Sequence, residues 1–199
     1  MNKLLIATNN KGKVIELQDL LKDTGIQLLT PAEIGLSLAV EEDGETYAEN
    51  SSRKAIAFAQ ASGLISLADD SGLEVDALDG APGLYSARYS PKPAANDADR
   101  REFLLQNLYD RPRPWKAHFH AAIAIAKSSG EVELAEGKCF GEIIPMERGS
   151  GGFGYDPIFF LPELNKTMAE LDMGEKNRIS HRALAVMNAM PILKKMFGL

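Results

Sequence analysis

An α/β fold is predicted by three observations. The chain opens on a continuous apolar run, Leu4-Leu5-Ile6-Ala7, as a strand covered on both faces requires. Helical spacing follows at Val14, Leu17, Leu20 and Leu21, with Gly25 placed to end the helix. A second apolar run, Ile26-Gln27-Leu28-Leu29, then returns as a strand.

The remaining elements follow in order. Thr30-Pro31 opens a short helical turn, since proline suits the first helical position. Thr46 and Glu49 have capping-box spacing, and the helix they start runs through Ala61 with Ala48, Ala55, Ile56 and Ala59 inward. Leu64-Ile65-Ser66-Leu67-Ala68 reads as a buried strand ending in a polar corner, Asp69-Asp70-Ser71-Gly72, from which Leu73, Val75 and Ala77 return as a separate strand. Asp79-Gly80-Ala81-Pro82-Gly83 is turn chemistry. Asn96 caps a helix to about Tyr109, with Phe103, Leu104 and Leu108 buried, and Arg111-Pro112-Arg113-Pro114 ends it. Phe119, Ala121, Ile123 and Ile125 alternate before Ser128-Ser129-Gly130 turns into Val132-Glu133-Leu134, an antiparallel hairpin. Residues 115–145 therefore read as an antiparallel insertion or lobe. Ile158 to Leu161 is a further strand, and Ala183, Val186, Met187, Met190, Leu193 and Met196 mark a C-terminal helix whose methionines are core.

Composition narrows the function. The 199 residues carry 22 basic and 28 acidic side chains, a net charge of −6, which argues against a broad nucleic-acid-binding surface. A local lysine cluster for a small anion remains compatible with it. The 17 glycines and 10 prolines exclude a collagen-like or low-complexity chain. One cysteine, Cys139, makes no internal disulfide, and the N-terminal apolar run is too short for a secretory signal. No apolar stretch approaches the ~18 residues of a membrane span. The expectation is a soluble cytoplasmic protein, with neither nucleic acid nor membrane as partner.

Four groups of residues carry candidate chemistry. Thr8-Asn9-Asn10-Lys11-Gly12-Lys13 joins a strand to a helix and gathers amides, a hydroxyl and two ammonium groups, which suits phosphate. It is not a Walker A loop, and a plain polar turn with solvated lysines reads equally well. Glu41-Glu42-Asp43 and Asp69-Asp70 offer oxygen ligands of the kind that hold Mg²⁺ against a polyphosphate. The first run is also an ordinary solvated loop, whereas paired aspartates abutting Leu67-Ala68 are harder to leave half-buried without a role. Gly149-Ser150-Gly151-Gly152-Phe153-Gly154 formally matches a dinucleotide fingerprint but leads into a strand, so its glycines instead let backbone approach a flat ligand, with Phe153 or Tyr155 to stack. Lys176 and Ser180-His181-Arg182 place donors at the start of the last helix, while His118 and His120 read as structural. Neither zinc spacing nor a serine-hydrolase elbow is present.

Taken in order, these blocks, with Glu49-Asn50, Lys54-Ala55, Gly80 to Gly83 and Tyr85 to Tyr89, resemble the inosine/xanthosine triphosphate pyrophosphatase family along the whole chain. The resemblance implies one domain over 1–199, an elongated mixed sheet with flanking helices in two lobes and the site in the cleft between them, and a homodimer. It implies Mg²⁺-dependent hydrolysis of ITP, dITP and XTP to the monophosphate and pyrophosphate. Thr8, Asn9, Asn10, Lys11, Gly12 and Lys13 then hold the triphosphate. Glu41 and Asp70 bind the metal, Glu41 being chosen by its distance from Gly44, and Asp70 activates water. Ser71, Phe153, Gly154, Tyr155, Asp156 and Lys176 line the nucleotide pocket, and His181 and Arg182 read the base, Arg182 donating to a 6-oxo group. A related pyrophosphatase for dTTP or UTP, a non-catalytic nucleotide sensor and a dinucleotide-dependent oxidoreductase are the competing classes.

Overall fold

Strand alternation organises the first half of the chain. In the computed structural model, which describes residues 2–199, β1 (Lys3–Ile6) pairs in parallel with β2 (Gln27–Leu29) on one side and with β3 (Ile65–Val75) on the other. Adjacent residues of a strand face opposite ways. Leu4, Ile6 and Leu67 accordingly share one core with Leu17 and Leu21 of α1 (Lys11–Leu21) and Val186, Ala189 and Leu193 of α5 (His181–Phe197). Leu5, Ala7 and Ala68 share another with Ala55, Phe58 and Ala59 of α2 (Tyr47–Ser62). The sheet thus has α1 and α5 on one face and α2 on the other, which accounts for the uninterrupted apolar runs.

The complete sheet has seven strands in the order β2-β1-β3-β4-β5-β6-β7, with β4 at Trp115–Ala126, β5 at Val132–Ile143, β6 at Phe159–Leu161 and β7 at Lys166–Thr167. The β5–β6 and β6–β7 pairs are antiparallel, so the sheet is mixed. The expected insertion over 115–145 is corrected. Its hairpin forms the middle of the sheet, because Ala121, Ile123 and Ile125 complete one core and Ala124 and Ala126 the other. The expected polar corner at Asp69 to Gly72 is also corrected, since one eleven-residue strand runs straight through it.

The chain divides into two compact units. The first comprises residues up to Ser71, Ala121–Gly137 and His181–Leu199; the second comprises Gly72–His120 and Lys138–Ser180. In the second, Leu73, Val75, Leu104, Leu108, Phe119, Tyr155, Phe159 and Met168 form a third core beside α3 (Asp97–Leu108). There α4 (Met173–Ile179) is capped reciprocally by Asp172 and Glu175, a short helix that periodicity did not reveal. Among the described residues, no helix is long and apolar enough to cross a membrane.

The start of α5 lies tight against β5. A Cβ on Gly137 would stand 2.3 Å from the Ala185 amide nitrogen and 2.4 Å from the His181 carbonyl oxygen. Gly137→Ala is therefore expected to cost about 1–3 kcal/mol by overpacking, lowering Tm by roughly 2–12 °C for a chain of this length. Calorimetry checks it, and an unchanged Tm would show that α5 is not seated on β5 there.

Candidate active site

In the first unit, alternation sends the two consecutive aspartates of β3 to opposite faces. Asp69 has the parity of Leu67 and meets α1 and α5; Asp70 has the parity of Ala68 and meets α2. The two side chains therefore acquire opposite electrostatic surroundings from one sequence position to the next.

Asp69 is buried, 1% exposed, and holds a charge cluster together. Its Oδ2 accepts from Arg182 Nε at 3.2 Å and Nη2 at 3.0 Å, and Lys13 Nζ lies 2.9 Å away. Lys13 also donates to the Asp69 carbonyl at 3.1 Å. The third guanidinium nitrogen, Arg182 Nη1, bonds Glu16 of α1, while Nη2 also reaches Ser71 Oγ at 3.0 Å. Two cations thus face two carboxylates, the arrangement that makes buried charge tolerable. Burial alone would push the Asp69 carboxyl up, but Arg182 and Lys13 hold it well below the usual carboxylate range.

Asp70 is treated differently. Its Oδ2 accepts from Asn50 Nδ2 at 3.1 Å and its Oδ1 from the Ser71 amide at 3.0 Å. Burial raises its proton affinity above the ordinary value, only partly offset by Lys13, Asn50 and Lys54, and Glu42 adds to the rise. Asn50 also accepts from the Gly44 amide at 2.8 Å, which ties the loop before α2 to this aspartate.

The acidic loop treats its two glutamates differently. Glu41 is exposed, whereas Glu42 is half-buried, ion-paired with Lys54 of α2, and lines a cleft of about 260 Å³ with Thr8, Asn9 and Lys54. Glu42 thus acts electrostatically on Asp70. Within the phosphate-loop candidate, Asn10 caps α1 by accepting the Lys13 amide at 3.1 Å, and Thr8 Oγ1 accepts the Asn10 amide at 3.2 Å. Asn9 and Lys11 are exposed and Gly12 half-buried, while the Lys13 side chain turns inward. His181, at the first position of α5, is buried. Glu16, Asn50 and Lys54 belong to the site as well, and the sequence reading gave them no role. Helical spacing from Lys13 to Glu16 and from Asn50 to Lys54 was the available signal.

A second group lies within the second unit. Lys176 of α4 is 5% exposed and donates to Asp156 Oδ2 at 2.6 Å, with its Nζ 5.5 Å from the Phe153 ring centroid. The same Asp156 oxygen accepts the Phe153 amide at 3.0 Å. Tyr155 is corrected as a stacking candidate. Its ring is buried in the core, its hydroxyl donates to the Ser86 carbonyl at 2.9 Å, and burial raises that hydroxyl's proton affinity. The aromatic of the loop is therefore Phe153, half-buried between Gly152 and Gly154, both at positive φ. The loop leads through a 3₁₀ turn, Asp156–Ile158, into β6, in keeping with the rejection of a dinucleotide fingerprint.

Arg182 is enclosed: all three of its nitrogens are bonded to Glu16, Asp69 and Ser71 and the residue is 1% exposed. Its geometry is that of a residue holding β3 to α1.

A family model spans residues 4–192, nearly all of these elements. The chain belongs to the Ham1 family. It is similar to a dITP/XTP pyrophosphatase of Desulforamulus reducens, 50% identical over 196 residues, 98% of this chain and 97% of that one. One of the same name from Clostridium perfringens is 46% identical over 94% of each chain. Among solved Ham1 structures, that of Coxiella burnetii superposes with a TM-score of 0.87 at 39% identity, covering 98% of this chain and all of the other.

The two aspartates should answer substitution in opposite directions. Asp69 has a lowered carboxyl in the folded state, so its contribution to stability is present above the unfolded value and is lost as pH falls. Asp70 has a raised one, so the folded state binds its proton more tightly, and the ionised form opposes folding at neutral pH. Asp69→Asn is expected to lose about 3–5 kcal/mol by stranding buried charge, or roughly 6–20 °C in Tm. Asp70→Asn should match or exceed the wild-type Tm at pH 7. Thermal unfolding of both variants checks this, and an equal loss in the two would refute the division.

Proposed function

We propose that this Ham1 protein hydrolyses non-standard purine nucleoside triphosphates, dITP, ITP and XTP, to the monophosphate and pyrophosphate. The names of its relatives support the substrate class. The observation that carries the chemistry is Asp70: a buried carboxyl of raised proton affinity, hydrogen-bonded by Asn50 and within the electrostatic reach of Lys13, Lys54 and a second carboxylate, Glu42.

Its role follows from acid–base matching. A general base works best when its proton affinity approaches the working pH, and burial moves Asp70 that way while Asp69 is moved the other way. Asp70 takes the proton of the attacking water, and Asn50 and the Ser71 amide orient its two oxygens. Lys13 and Lys54 offset the negative charge that gathers on the phosphates, assisted by the amides and side chains of Thr8 to Lys13 at the start of α1. Arg182 acts through Asp69 and Lys13 as a positioning residue. Phe153, with Gly154, Asp156 and Lys176, takes the nucleoside, Phe153 offering a face to the purine ring; Ser71 and His181 complete the set expected around the nucleotide.

Glu42 and Asp70 fit Mg²⁺. Both are oxygen donors, and Asp70 carries an under-compensated charge that a cation relieves. Among the described residues no three His, Cys, Asp or Glu side chains converge, so these two carboxylates would hold such an ion with help from other oxygen donors. When bound, Mg²⁺ neutralises phosphate charge and makes water more acidic. We place the protein in the cytoplasm as a homodimer, the buried unpaired Cys139 being suited to a reducing compartment.

Incubation with ITP, XTP and dITP should release pyrophosphate and the monophosphate; IDP as first product would contradict the reading. Asp70→Asn should lower kcat at least a hundredfold, about 2.7 kcal/mol of barrier. Glu42→Gln should raise the Mg²⁺ needed for half-maximal rate, whereas Glu41→Gln should leave it unchanged. The reverse order would restore Glu41 as the metal carboxylate.

A further inference from the structure

The backbone of Gly154 is gripped on both of its polar groups by α3, an element with no part in the chemistry described so far. Its amide donates to Asp97 Oδ2 at 2.8 Å, and its carbonyl accepts from Arg101 Nη1 at 2.7 Å. Asp97 and Arg101 lie one turn apart on α3, so both reach the same peptide from one helix face. Each is held in turn. Arg100 pairs with the other Asp97 oxygen, and Arg101 Nε and Nη2 make a bidentate pair with Glu147 at 2.7 and 3.1 Å. Asn96 and Asp99 close a capping box that fixes the helix start where Asp97 sits.

The grip falls where the backbone is otherwise least determined. Gly154 has φ +62° and no atom within 4 Å of where a Cβ would stand, so packing does not hold it. Gly152, on the other side of Phe153, is also at positive φ, and a Cβ there would lie 2.0 Å from Asp156 Oδ2. Two glycines leave Phe153 on a segment with unusual conformational freedom. Asp156 fixes the Phe153 amide, and the α3 pair fixes the next peptide.

We propose that Asp97 and Arg101 are positioning residues for nucleoside binding, clamping the Gly154 peptide so that Phe153 is presented in one orientation over Lys176. This rests on the assignment of Phe153 to the nucleoside. The clamp pre-organises a stacking face, so its loss shows in binding of the base and not in the cleavage step.

The test uses the whole enzyme and two ligands that share a triphosphate, ITP as substrate and inorganic tripolyphosphate as a base-free competitor. Arg101→Met is expected to raise KM for ITP about tenfold with kcat held within about twofold, a pattern of lost ground-state binding. Inhibition by tripolyphosphate should be unchanged, and Arg101→Lys, which keeps a donor for the Gly154 carbonyl, should recover most of the KM. Hydrogen exchange at the Gly154 amide should accelerate in Asp97→Asn, which also replaces Arg101→Met in the kinetics if the latter does not fold. An unchanged KM, or a fall in kcat and tripolyphosphate affinity together with Tm, would overturn the clamp and leave a merely structural contact. A wild-type enzyme that cleaves neither ITP nor XTP overturns the nucleotide reading itself, and does so before any variant is made.

Discussion

Arg182 and Asp69 meet in a region from which water is almost excluded, and much of the first unit's arrangement depends on that pair. A buried guanidinium or carboxylate alone costs several kcal/mol. Here the cost is shared among Glu16, Lys13 and Ser71, so that α1, β3 and α5 are joined through one guanidinium. Helix α1 is held to the strand that carries Asp70 by the same bonds, because Lys13 and Glu16 belong to it. A polar network of this kind fixes register where apolar packing alone would tolerate a shift.

The same pair explains how neighbouring aspartates divide their labour. Every cation that saturates Asp69 lies on the α1 and α5 face, whereas Asp70 looks toward α2 and is left with the Asn50 amide, the Ser71 N–H and only partial compensation from Lys13 and Lys54. Asp69 is thereby kept ionised and structural, and Asp70 is left with the proton affinity and vacant charge that a base or metal ligand needs. Two environments have been made from one dipeptide by the pleat of a strand.

Most of the framework was legible in the amino-acid sequence, and the failures share a cause. The apolar runs, the caps at Thr46 and Asn96, and Gly25 after its helix announce themselves locally, and all are present. Asp69 to Gly72 looked like a corner because a charged pair inside a strand is intelligible only once Lys13 and Arg182, 56 and 113 residues away, supply its countercharge. Had the strand been carried through, alternation alone would have sent the two aspartates to opposite faces. The enclosure of Arg182 is hidden for the same reason, since its partner Glu16 lies 166 residues away. Glu41 and Glu42 differ only in which one the loop turns inward, and the bond from Asn50 to Gly44 that helps set the loop is equally non-local. The hairpin at 115–145 was seen, but its place in the middle of the sheet depends on strands contributed from elsewhere.

The most direct test is a double-mutant cycle on the buried pair. Unfolding free energies of Asp69→Asn, Arg182→Met and the double variant, measured in urea, isolate the interaction between the two side chains. If Asp69 and Arg182 compensate each other as described, each single substitution strands a buried charge. The double variant then loses less than the sum of the singles by more than about 2 kcal/mol. Losses that add to within about 0.5 kcal/mol would show the two residues to be energetically independent, and the ion pair would no longer account for how β3 is held.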